Sequence, residues 1–157
     1  MNDKALREQL VTLLDSKQAH ATFDAAVEGV PLKAAALVPR RWQYSIWQLV
    51  EHIRIAQADI LDFSANANYE ERLKWPADYW PKARGPKTSA AWKKALHDYR
   101  RDLEAMKNVA RNTADLYAVV PRGTEQTYLR NVLLVADHTA YHVGQIVALR
   151  RQLGIWK

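Results

Sequence analysis

Two of the chain's five histidines, His138 and His142, stand four residues apart in Asp137-His138-Thr139-Ala140-Tyr141-His142. On a helix that spacing is just over one turn, so both imidazoles leave the same face, one above the other. Such a pair presents two nitrogens from one rigid element, and neutral imidazole is the commonest protein ligand for a metal ion. His52 supplies a third nitrogen. It falls on the stripe Leu49, His52, Ile53, Ala56, Ile60 and Phe63, whose spacings of three and four turn it towards a core. Three inward histidines from two helices form the donor set of an open zinc-type centre, with one position left for water or substrate.

The remaining histidines divide differently. His97 lies off the stripe of its helix and is expected in solvent. His20 falls on the core-facing line of the first helical segment and has three readings: a fourth ligand, a base beside the metal, or a core histidine. Proton transfer at such a centre needs a base, and His20, Glu51 and Asp59 are the candidates. Asp59 lies two turns beyond His52 on nearly the same face, whereas Glu51 points about 100° away. Gln145, three residues after His142, is placed to hydrogen-bond beside the site.

Other chemistries lack their residues. The chain has no cysteine, which excludes disulfides, thiolate sites and cysteine nucleophiles and leaves nitrogen and oxygen donors. Neither Glu51-His52 nor Asp137-His138 has the Glu-x-x-His spacing of a di-iron carboxylate bundle. Thr139 stands where an HExxH motif needs glutamate, and no phosphate-loop, dinucleotide or nucleophile-elbow pattern occurs.

Four segments with helical periodicity must position these side chains: about residues 3–28, from 45 onward, 89–111 and 127–153. Ser45 and Gln48 have the form of a capping box, Thr88 or Ser89 can cap the third segment, and Gly154 closes the fourth. The run Val132 to Ala136 is apolar on all sides, which predicts a helix buried on most sides there. With no strand alternation, the reading is all-α, a four-helix bundle in a single domain over residues 1–157. A long crossover, about residues 64–87, separates helices two and three and lets them run parallel. It carries Trp75, Tyr79 and Trp80, read as a mixture of pocket wall and staple with at least one of them near the metal.

The formal charge of +6 comes as basic pairs scattered along the chain, which argues against a nucleic-acid partner. A charged N-terminus and the lack of a long apolar run lead us to expect a cytoplasmic protein without a membrane partner.

Taken together, Ser45-x-Trp47-Gln48-Leu49-x-x-His52 and Asp137-His138-x-x-x-His142-x-Gly144-Gln145-x-x-x-Leu149-Arg150 resemble the DinB-like (YfiT-like) superfamily of metal-dependent hydrolases, over nearly the whole chain. That resemblance implies an up-down-down-up four-helix bundle and often a homodimer. It also implies one nickel or zinc ion on His52, His138 and His142, all unsubstituted here. Relatives include transferases and isomerases that use a low-molecular-weight thiol such as bacillithiol or mycothiol, and the family name does not imply DNA binding. The expected function is therefore a thiol-dependent transferase or hydrolase acting on a small molecule. The alternative is a non-catalytic stress protein that binds metal or ligand.

Overall fold

The computed structural model describes residues 3–156. The described residues form six α-helices and no strand; one isolated antiparallel bridge joins Val119 to Thr127.

The first helical segment is two helices rather than one. Ser16 adopts a left-handed conformation, φ 55°, and its amide bonds the Leu13 carbonyl, which ends α1 (Lys4–Asp15). The chain then runs without helix to Thr22, whose hydroxyl accepts from the Ala25 amide and starts α2 (Phe23–Val27). The break destroys the register on which the core-facing line through His20 depended. A short α3 (Leu32–Ala35) follows Pro31.

The other three long helices form where the sequence placed them. α4 (Ile46–Ala65) begins on the capping box: Ser45 Oγ accepts from the Gln48 amide and Gln48 Oε1 accepts from the Ser45 amide, both at 3.1 Å. Thr88 caps α5 (Ser89–Asn112), and Thr127 caps α6 (Tyr128–Gln152). Gly154, at φ 68°, lies just beyond the end of α6, where a left-handed residue lets the chain turn away.

Hydrogen bonds fix the directions. Ser64 meets Asn131 while His52 meets His138, so α4 and α6 are antiparallel. Trp47 packs on Trp92 and Gln57 Nε2 donates to the Tyr99 carbonyl, so α4 and α5 run the same way, as the crossover permits. Arg7 donates to the Ala110 carbonyl while Asp15 pairs with Lys107, so α1 is antiparallel to α5. One apolar cluster joins α2, α4, α5 and α6 around Phe23, Ile53, Tyr99 and Ile146. A second joins α1, α5 and α6 around Leu14, Met106 and Val132.

The apolar stretch at the start of α6 is buried on most sides, as its pattern predicts. Val132, Val135 and Ala136 face the core, Leu134 is half-buried and only Leu133, at 43%, is exposed, because α6 packs against α1, α2, α4 and α5. By length and composition alone α6 would be long and apolar enough to cross a membrane, a test that a buried core helix also passes, and half of that window is buried inside the protein.

Candidate metal centre

Because α4 and α6 are antiparallel, His52 on the second turn of α4 faces His138 and His142 on the middle of α6. One ligand nitrogen from each of the three lies within 4.8 Å of the others, a group able to hold a metal ion. Ring centroids are 4.8 Å (His52–His138), 4.6 Å (His52–His142) and 4.5 Å (His138–His142) apart, with steeply inclined planes. The rings are therefore not stacked on one another, and one nitrogen of each comes near the others.

Two of the three ring protons have a defined place. His52 Nδ1 donates to the Tyr79 carbonyl at 2.9 Å, leaving Nε2 with its lone pair. That nitrogen lies 3.0 Å from His138 Nε2, across the point where the three rings meet. His142 Nδ1 donates to Gln145 Oε1 at 2.7 Å, which leaves the Nε2 of His142 free. Gln145 thus acts where the sequence put it. Acceptors behind two of the three rings set tautomer and orientation as outer partners do in metal sites. The donor set, the tautomers of His52 and His142 and the close approach of one nitrogen from each ring fit a divalent ion.

Burial keeps the rings neutral. It is the largest cause lowering the pKa of His52 and of His142, although Gln145 opposes it for the latter. His138 is pushed down to about 4, by burial first and then by the neighbouring histidines. Coordination requires neutral imidazole, so protons compete at lower pH than they would for free histidine, near pH 6.5. The same shifts make a prediction for chelator-treated protein. Between pH 6.5 and about 4 the unfolded chain binds more protons than the folded one. Stability should then be complete above about pH 6.5 and fall as pH drops towards 4. The urea midpoint should follow that course, and the fall should shrink in His138→Gln; equal slopes for the two proteins would refute the assignment.

The crossover forms one wall. Trp80 stacks flat on His52, with centroids 3.8 Å apart and planes 6° apart, and its other face stacks on Tyr44 at 3.7 Å. Trp80 also stands edge-on to His142 at 5.8 Å. Trp75 is 69% exposed and touches Tyr79. The loop therefore mixes wall and staple, with Trp80 against the site.

Asp59 is tied to that wall. Its two carboxylate oxygens accept from the hydroxyls of Tyr79, at 2.6 Å, and Tyr69, at 3.0 Å. Tyr79 is the residue whose carbonyl holds His52, so Asp59 reaches the centre through one intervening residue. Glu51 forms a two-point ion pair with Arg54. His97 is exposed, as expected. His20 is not brought to the centre. It lies outside any helix, exposed, with Nδ1 against the Ala21 carbonyl, because the break after α1 turns this stretch to solvent.

Sequence reading missed Tyr44 and the roles of the Tyr79 carbonyl and Tyr69. A backbone acceptor leaves no residue-type signature, and nothing in a single sequence marks Tyr44 as the second face of a stack.

The model of one protein family, Mycothiol-S-transferase, matches residues 9–154, which include all three histidines and the whole crossover. The chain belongs to the mycothiol S-transferase family. This family lies within the DinB-like, YfiT-like metal-dependent superfamily, as the motifs around His52 and His142 had indicated. No curated protein and no solved structure matches the chain. In this member of the mycothiol S-transferase family, the three-histidine group stands where α4, α6 and the crossover meet.

Proposed function

We propose that the chain is a metal-dependent transferase that joins a low-molecular-weight thiol of the mycothiol kind to a small electrophile. The observation that carries this reading is the convergence of His52, His138 and His142 in a chain of the mycothiol S-transferase family. These three residues would hold a divalent ion, nickel or zinc by the resemblance to the superfamily. When bound, such an ion supplies a positive charge that keeps a neighbouring thiol as its thiolate near neutral pH.

The protein's own part is positioning and water exclusion. Tyr79 and Gln145 fix the tautomers of His52 and His142, and Trp80 covers one face of His52. We assign Asp59 a positioning role rather than that of base, since two tyrosine hydroxyls already occupy its oxygens. Exposed and away from the histidine group, His20 has no part in this reading. Helix order and directions support an up-down-down-up four-helix bundle, the superfamily resemblance supports a homodimer, and membership of a family of soluble enzymes supports work in the cytoplasm.

The test is direct. Protein loaded with nickel or zinc is mixed with mycothiol and iodoacetamide; the S–C bond forms, iodide leaves and the thiol proton goes to solvent. Conjugate should form faster than in buffer, and chelation or His142→Ala should abolish the excess. Stoichiometric metal with no acceleration for any thiol or electrophile would instead favour a ligand-binding protein.

A further inference from the structure

A cavity of about 140 Å³ lies beside the three-histidine group, lined by Arg41, Trp42, Gln43, Tyr44, Leu49 and Gln145. Two of its walls are the back of the metal centre. Gln145 accepts the proton of His142, and Tyr44 stacks on the Trp80 ring that covers His52. Anything seated in this cavity therefore sits next to the residues that orient the ligands. A cavity of this size admits a group of a few heavy atoms, up to about one small ring.

Arg41 is the only charged residue among its lining. Its backbone is at φ 73°, a left-handed conformation that a long side chain rarely adopts. Such outliers persist where the surroundings over-determine them, and they gather at ligand sites. Arg41 is exposed and makes no hydrogen bond or ion pair among the described residues. The chain on either side carries no countercharge either. Residues 29–50 contain no aspartate or glutamate, and they carry Lys33, Arg40 and Arg41. The end of the crossover packs against this segment. Ser45 Oγ donates to the Arg84 carbonyl, and a Cβ on Gly85 would come within 2.5 Å of the Ala36 side chain. That stretch adds exposed Lys82, Arg84 and Lys87.

We propose that this cavity receives a carboxylate of the electrophilic substrate, with Arg41 as the residue that selects it. The guanidinium is a planar fork that matches a carboxylate at two points, and Trp42, Tyr44 and Leu49 offer apolar walls to the carbon chain behind it. The surrounding uncompensated basic residues raise the local concentration of anions. The chain's positive charge is then put to use on a small anion. The proposal rests on the transferase reading for the word substrate, but the site is testable without turnover.

Chelator-treated protein is titrated with butyrate, with the neutral isostere butyramide and with inorganic phosphate, following the fluorescence of Trp42 and Trp80. Butyrate should give a saturable change that butyramide and phosphate do not. Arg41→Gln should weaken butyrate about tenfold or more, and Arg41→Lys should recover part of the loss. Arg41→Gly, which fits the left-handed backbone without strain, should remain folded and lose butyrate as well. Equal binding of butyrate and butyramide, equal binding of phosphate, or unchanged butyrate affinity in Arg41→Gly would each overturn the proposal. Butyrate binding without thiol transfer to any electrophile would leave this site standing and remove the transferase reading. Thiol transfer without selective butyrate binding would do the reverse.

Discussion

Changing His138 and His142 together to alanine should abolish divalent-ion binding. Wild-type protein incubated with nickel or zinc should retain about one ion per chain after desalting, and the double variant should retain almost none. The reason is geometric. The two residues supply two of the three converging nitrogens, and His52 alone is an ordinary monodentate imidazole. A graded series should accompany this loss. Gln145→Leu removes the acceptor behind His142 without touching a ligand, and should weaken binding by about 10- to 100-fold. Binding to the folded state alone adds RT ln(1 + [L]/Kd), about 2.7 kcal/mol at 100 times Kd. Melting of the wild-type protein should therefore rise with added zinc, rise less in Gln145→Leu, and stay fixed in the double variant. Full metal content in the double variant would show that the ion sits elsewhere.

What the sequence revealed of this centre, and what it hid, follows from the range of the forces involved. The His138–His142 pair was legible because helical period is a local property, and His52 was legible because it interrupts an apolar stripe. The capping box at Ser45 and Gln48 was equally local. The break at Ser16 was not. Lys17, Gln18 and Ala19 are good helix formers, no glycine or proline marks the place, and the left-handed Ser16 is a conformation that propensity does not announce. That one break moved His20 from the expected core line to the surface. Asp59 shows a third case. Its spacing from His52 put it on the right side of α4, but its partners Tyr69 and Tyr79 arrive from an irregular loop that no periodicity can place. The same holds for Arg41, whose significance lies in a backbone angle.

Trp80→Ala should damage the centre in a way that depends on pH. The indole lies between His52 and Tyr44, so truncation opens one face of His52 to water and leaves Tyr44 without its partner. Loss of a half-buried tryptophan should lower stability by about 2 kcal/mol, less than for a fully buried ring. A ring that served only to staple the crossover would show that loss and nothing more. The stack on His52 adds a second effect with a definite sign. Burial is the largest cause of the lowered pKa of His52, and relieving it raises that pKa back towards its ordinary value. Protons then compete better for the nitrogen that must stay neutral. Zinc affinity of Trp80→Ala should consequently approach that of the wild type at pH 8 and fall below it at pH 6, while Trp80→Phe, which can still stack, should track the wild type at both. The indole is also placed to report on the ion. Added nickel should quench wild-type fluorescence strongly and Trp80→Phe much less, because the ring at 3.8 Å from His52 is the reporter. Equal quenching in the two proteins, together with a zinc affinity ratio that does not change between pH 8 and pH 6, would reduce Trp80 to a staple and leave the wall of the centre to other residues.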